Sequence, residues 1–177
     1  MLWRIFKTDK EKELLMYRSH TDELTGCFNR HAYEEDIVQL RMDEAFVYIS
    51  LDMNGLKTVN DSLGHATGDE LIRGVASCMK QCFAEVGKVY RIGGDEFVII
   101  VLDQMQNIEN IRETFDKTVR RWQGKMVKEM SVSCGYVSSD EKEWDTNYDI
   151  AKAADARMYE NKAASVSYTH LRAHETG

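Results

Sequence analysis

The chain of 177 residues contains no proline. No proline-rich hinge divides it, and no helix or strand interior is interrupted by that breaker. A run of 18 apolar residues is also missing, so nothing reads as a membrane-spanning helix, and no secretory signal is visible. Cysteine is sparse: Cys27, Cys78, Cys82 and Cys134, with no CxxC pair. Cys78 and Cys82 stand one helical turn apart on an apolar face. They read as buried free thiols rather than a metal site, which fits a reducing, cytoplasmic setting. Basic charge is outnumbered, 23 Lys and Arg against 30 Asp and Glu, for a net charge of −7. A surface of that sign is poorly suited to displacing phosphate counterions, so no nucleic-acid partner is expected. A nucleotide substrate stays open, because a divalent cation can supply positive charge locally.

The length suits one domain that buries about 70% of its unfolded surface. Its most informative stretch is Arg91-Ile92-Gly93-Gly94-Asp95-Glu96-Phe97. An apolar run ending in Val89-Tyr90 enters it, and Phe97-Val98-Ile99-Ile100-Val101-Leu102 leaves it. Two β-prone runs joined by Gly-Gly predict a hairpin, the glycines permitting the positive φ of a tight primed turn. Asp95 and Glu96 sit on that turn. Solvated turn acids are common, but acids beside bare backbone also suit a cation that carries a phosphate.

Ala45 to Leu51 is nearly all apolar and predicts a central strand covered on both faces, ending at Asp52. A carboxylate leaving a buried strand must reach solvent or hold a cation. Residues 53–69 then read as a polar, glycine-punctuated segment carrying Asn60, His65 and Asp69. Asn with Asp can read a purine edge, although each alone is more often a cap or turn residue.

Elsewhere the spacing predicts helices over residues 1–24, 30–42, about 70–83, 108–122 and 148–162. The first is too short for a coiled coil and, with its weak stripe, reads as the end of a signalling helix or as a frayed terminus. Residues 130–138 alternate, placing Met130, Val132, Cys134 and Tyr136 on a buried face and Ser131, Ser133 and Gly135 on a lighter one. The order helix–strand–helix–hairpin–helix–strand–helix predicts an α+β sandwich of ferredoxin-like type, its mainly antiparallel sheet flanked by helices.

Several ordered motifs together resemble a GGDEF domain, the catalytic module of diguanylate cyclases. They are Thr21-Asp22-Glu23-Leu24-Thr25-Gly26 with Asn29-Arg30, the segment from Asp52 to Asp69, the intact Gly93 to Phe97, Ser133 with Gly135, and Ala154-Asp155 through Met158-Tyr159 to Lys162. The resemblance covers residues 21–162, with 1–20 as a signalling helix and 163–177 as an atypical tail of non-native character. It implies a nucleotidyl-cyclase palm that condenses two GTP into cyclic di-GMP and pyrophosphate. It also implies a homodimer of half-sites governed by an upstream sensor domain absent from this chain.

By position the resemblance assigns Mg²⁺ (or Mn²⁺) to the side chains of Asp52, Asp95 and Glu96 and to the Met53 carbonyl. It assigns guanine to Asn60 and Asp69, with His65 nearby. Phosphates fall to the main chain at Gly55-Leu56 and at Gly93-Gly94, and to Lys57 and Lys162. Arg91 falls near the transferring phosphoryl group. Asn54 replaces the second acid of the family's Asp-x-Asp. Ala84-Glu85-Val86-Gly87 stands where the product-inhibition motif would be, so no feedback is expected there. Val166 stands where an arginine is usual. The alternative is a non-catalytic GTP-binding or protein-interaction module on the same fold. The tail pair His170 and His174 has metal-ligand spacing, but an isolated polar pair is not expected to be a site.

Overall fold

The computed structural model describes the backbone of residues 2–102 and 106–175, and side chains within 8–102 and 106–164. Its elements are α1 (Leu2–His20), α2 (Arg30–Gln39), β1 (Phe46–Met53), α3 (Leu56–Leu63), α4 (His65–Phe83), β2 (Gly87–Gly93), β3 (Glu96–Leu102), α5 (Ile108–Arg121), β4 (Val132–Ser138) and α6 (Asn147–Glu175). The four strands form one antiparallel sheet in the order β2-β3-β1-β4. This is the expected ferredoxin-like α+β sandwich.

β1 is buried along its whole length, as its unbroken apolar run requires. Val47, Ile49, Leu51 and Met53 face α4 and α5, packing with Val75, Met79, Phe83 and Phe115. Phe46 and Tyr48 face α2 and α6, with Ile37, Ile150 and Ala154. The alternation of a strand therefore sends odd positions to one layer and even positions to the other. Asp52, an even position, is aimed at α6.

Five expectations change. Residues 53–69, read only as a polar, glycine-punctuated segment, are largely helical. They form α3 and the first turn of α4, parted at Gly64, whose φ of 88° only glycine adopts easily. α1 stops at His20, and Thr21 instead bridges to Phe28, because Asp22 accepts from the Thr25 amide and hydroxyl and folds the chain back. α2 ends at Gln39 rather than 42, and α6 continues past Lys162. In β4 the deeper face is the lighter one: Ser133, Gly135 and Val137 are buried, while Val132, Cys134 and Tyr136 are only half-buried. The cause is α6, which lies directly on the small residues. A Cβ on Gly135 would stand 2.0 Å from the Ala154 carbonyl oxygen and 2.4 Å from the Met158 nitrogen.

All four cysteines are free; Cys27 and Cys78 are buried and the other two half-buried. Burial pushes the Cys78 thiol up to about 11, which leaves it protonated and inert at neutral pH. No described helix is long and apolar enough to cross a membrane. The side chains of His170, His174 and Val166 lie outside the described residues, as do residues 103–105 of the predicted polar break.

The close seat of α6 on β4 is testable. Gly135→Ala forces the two elements apart and should cost about 1–3 kcal/mol in denaturant unfolding. Because α6 carries Lys162, the same change should lower any activity that depends on that lysine. An unaltered denaturation midpoint would contradict the packing.

Candidate active site at the end of the central strand

β1 delivers Asp52 and Met53 to the edge of the sheet beside the β2–β3 turn. Asp52 lies opposite Glu96 in the β1–β3 ladder, and the Met53 amide donates to the Asp95 carbonyl at 3.0 Å. The strand end and the turn are thus stitched together by main chain. The hairpin is where the sequence places it, but the reason differs. Neither Gly93 nor Gly94 adopts a positive φ, and a bulge between Arg91 and Gly93 takes up the twist. A Cβ on Gly94 would meet nothing, and one on Gly93 only the Glu96 carboxylate at 3.9 Å. The bare backbone of this turn faces outward, and the chain's own packing does not demand it.

Asp52 is 8% exposed. Its Oδ2 accepts from the Lys162 ammonium at 2.5 Å. Its Oδ1 is buried without a hydrogen-bond partner. Burial pushes the Asp52 carboxyl above the usual carboxylate range; Lys162 pulls it down, and the neighbouring Asp95 raises it again. The same contact, with the charges of Asp52 and Asp95, holds the Lys162 ammonium above its ordinary value. Asp52, Asp95 and Lys162 therefore share one electrostatic environment. An orphaned buried carboxylate oxygen beside a second acid fits a hard divalent cation, for which all the donors here are oxygens.

Glu96 is exposed and leans over Gly93. It borders a cleft of about 380 Å³ shared with Tyr33, Tyr48, Ser50, Ile92 and Asp155. Among the described residues, the three acids Asp52, Asp95 and Glu96 do not bring their oxygens into one compact cluster; a different triad does, as described below.

α3 and α4 place the remaining predicted residues. Gly55, at φ 75°, turns the chain from β1 into α3, whose first residue Leu56 is buried and anchors the helix. Lys57 follows, exposed. Asn60 lies against α4 so closely that a Cβ on Gly68 would be 1.8 Å from its Oδ1. Asp69 is the next residue, half-buried, and His65 is exposed one turn earlier. Asn60, His65 and Asp69 thus gather where the two helices meet. Asn54 is occupied otherwise: its amide donates to Ser131 Oγ at 2.9 Å and accepts from Ser133 Oγ at 3.1 Å, closing the β1–β4 end.

Arg91 is engaged within the protein. Its Nε and Nη2 donate to the Gly94 carbonyl at 3.3 and 3.0 Å, and Nη1 to the Asp22 carboxylate at 3.2 Å. It fastens the turn to the opening loop. The sequence reading missed Asp22 as its partner, because 69 residues separate the two and no local spacing signals the pair. It also missed the bond from Ser50 Oγ to Asp155, which lines the cleft beside Glu96.

Comparison with known proteins identifies the family of the chain. The family described as "Diguanylate cyclase, GGDEF domain" matches residues 19–167, and the chain belongs to it. A probable diguanylate cyclase of Escherichia coli, DgcJ, is 34% identical over 148 residues, covering 80% of this chain and 29% of that protein. A cyclic di-GMP phosphodiesterase of Shewanella oneidensis, PdeB, is 34% identical over 94 residues, 52% of this chain and 11% of that protein. The chain therefore spans less than a third of either relative. The coiled coil and GGDEF domain of Caulobacter crescentus DgcB, solved with c-di-GMP, superposes with a TM-score of 0.79 at 23% identity, over 92% of this chain and 91% of that one.

The raised Asp52 carboxyl has a signed consequence. A carboxyl held above its unfolded value gives stability that is complete below that value and is lost as pH rises through the folded one. At neutral pH the ionised Asp52 is therefore a net burden on the fold. Asp52→Asn should leave the thermal midpoint at neutral pH equal to or above the parent's. A lower midpoint would mean that the Lys162 contact outweighs burial.

Proposed function

We propose that the chain is a diguanylate cyclase, condensing two GTP into cyclic di-GMP with release of pyrophosphate. The observation that carries this reading is Asp52 Oδ1: a buried carboxylate oxygen without a partner, at a strand end, beside Asp95 and a turn of bare glycine backbone. Mg²⁺ or Mn²⁺ would be held by the Asp52, Asp95 and Glu96 side chains and the Met53 carbonyl. When bound, it would acidify the attacking 3′-hydroxyl and offset charge on the departing pyrophosphate.

The chain's own groups take the other roles. Amides at the start of α3, Gly55 and Leu56, offer unsatisfied donors and a favourable dipole to phosphate oxygens. Lys57 and Lys162 add positive charge, and the open Gly93-Gly94 backbone admits the phosphates closely. Asn60 and Asp69 read the guanine edge, the carboxylate accepting two N–H bonds, with His65 beside them. Arg91 keeps the turn in place through Gly94 and Asp22, close to the transferring phosphoryl group. One domain holds one GTP, so two copies face each other about a two-fold axis, which suits a symmetric product. A GTP-consuming enzyme of this kind belongs in the cytoplasm.

Two observations favour a second reading, a GTP-binding or interaction module without turnover. Val166 stands where the family usually has an arginine, and one relative is named as a phosphodiesterase. Incubation of the purified chain with GTP and Mg²⁺ separates the two. Cyclic di-GMP and pyrophosphate should form at a rate that rises more steeply than linearly with protein concentration. Asp95→Ala should reduce that rate by at least about 10²–10³-fold. GTP binding without product, even at high protein concentration, would establish the second reading.

A further inference from the structure

We propose that His20, His31 and Glu35 form a binding site for a zinc-like divalent transition metal at the junction of α1 and α2, sharing no residue with the Asp52 site. They form a group whose ligand atoms all lie within 4.8 Å of one another. The Glu35 carboxylate divides between the two rings: Oε2 lies 2.8 Å from His20 Nε2, and Oε1 lies 3.2 Å from His31 Nε2. The ring centroids are 4.9 Å apart.

The scaffold beneath the triad is fixed. The Asn29 amide donates to the His20 carbonyl at 2.9 Å, its side-chain Nδ2 to the Ser19 carbonyl at 2.8 Å, and its Oδ1 accepts the Ala32 amide at 3.0 Å. One residue thus ties the last turn of α1 to the first turn of α2. His31 and Glu35 are one helical turn apart on α2, so they project from the same face.

The other nitrogen of His20 orients the ring. Nδ1 lies 3.0 Å from the Met16 carbonyl and 2.6 Å from Ser19 Oγ. A carbonyl only accepts, so Nδ1 carries a proton toward Met16, while Nε2 faces the Glu35 carboxylate at hydrogen-bond distance and holds a proton that a metal would displace. A backbone carbonyl that holds one imidazole nitrogen and frees the other is the usual support of a metal-binding histidine. A divalent ion entering here would take the place of the Nε2 proton between ring and carboxylate. Two imidazoles and one carboxylate suit zinc, with water completing four-coordination. They do not suit magnesium, which prefers oxygen throughout. His20 is the most enclosed of the three, with 20% of its side chain exposed, while Glu35 and His31 are open enough to admit an ion from solvent.

Occupancy would join the end of α1 to α2 at a third point. The apolar residues Leu14, Leu15, Met16 and Tyr17 on α1 are exposed, so little else holds that helix to the domain.

The test is zinc titration of the whole chain by calorimetry, with magnesium in excess to saturate the oxygen-donor site. One equivalent should bind with micromolar or better affinity, and the thermal midpoint should rise. Cobalt in place of zinc should give the visible absorption of a four-coordinate ion. His31→Ala and Glu35→Gln, both at exposed positions, should each weaken binding by about tenfold or more and remove the cobalt bands. His170→Ala with His174→Ala should leave binding unchanged. The absence of zinc uptake would overturn the proposal. So would uptake that survives both His31→Ala and Glu35→Gln, or uptake that the tail variant abolishes. None of these outcomes depends on turnover.

Discussion

Asp52 is a carboxylate forced into a poor environment by the strand that carries it. β1 is buried on both faces, so its final residues leave the core before they reach water. One oxygen finds Lys162 and the other finds nothing. A buried polar atom without a partner costs about 1–3 kcal/mol, and proteins tolerate such costs where a ligand relieves them. Much of the surrounding structure serves to hold that carboxylate in its unfavourable place. β3 fixes it from one side through the ladder, and β4 fixes it from the other. The Met53 amide locks the next residue to the Asp95 carbonyl. A site built on a strand end and a two-residue turn is stiff, which is what positioning a phosphate for in-line attack requires.

α6 is the second constraint. It supplies Lys162 to Asp52 and Asp155 to Ser50, and both depend on how closely the helix approaches the sheet. That approach is permitted by β4, which presents Ser133 and Gly135 where larger side chains would hold the helix away. The light face of β4 was legible as small residues, but its meaning was not. Alternation tells which residues share a face, and size suggests which face is buried. Here the small face is the deeper one, because backbone rather than side chain fills the gap. Only the position of α6, whose contacts lie some 20 residues along the chain, decides the matter.

The same distinction separates what the sequence could and could not reveal elsewhere. The central strand, the hairpin and the α4 stripe are carried by local periodicity, and they stand where periodicity put them. The acids at Asp52 and Asp95 were legible because Asp52 stands near the end of the apolar central strand and Asp95 on the glycine turn. The helical nature of residues 56–63 was not legible. Asn60, Asp61 and Ser62 are residues that favour turns, and the glycines on either side look like loop punctuation. Packing of Leu56 and the close approach of Gly68 to Asn60 override those preferences. The glycine turn was read correctly as a turn and incorrectly as a positive-φ one, since a bulge upstream supplies the twist instead. The contacts of Arg91 with Asp22 were not legible, because the two lie far apart in the chain and meet only across the fold.

That last pair links the two ends of the molecule's organisation. α1 ends at His20, and Asp22 follows two residues later. Asp22 receives Arg91, and Arg91 holds the carbonyl of Gly94 in the middle of the turn. Phe28, at the far end of the same loop, donates to the Val89 carbonyl and accepts from the Arg91 amide, so the loop is also laid along β2. The route from the end of α1 to the turn is therefore two residues of chain, one ion pair and one hydrogen bond. The ion pair is largely shielded, with 16% and 21% of its side chains exposed, so it is screened less by salt than a surface pair. A shift of α1 about His20 acts on Asp22 before it reaches the sheet. The geometry of the glycine turn is thus set from outside the sheet as well as within it, and the opening loop is as much a part of the site's framework as the strands.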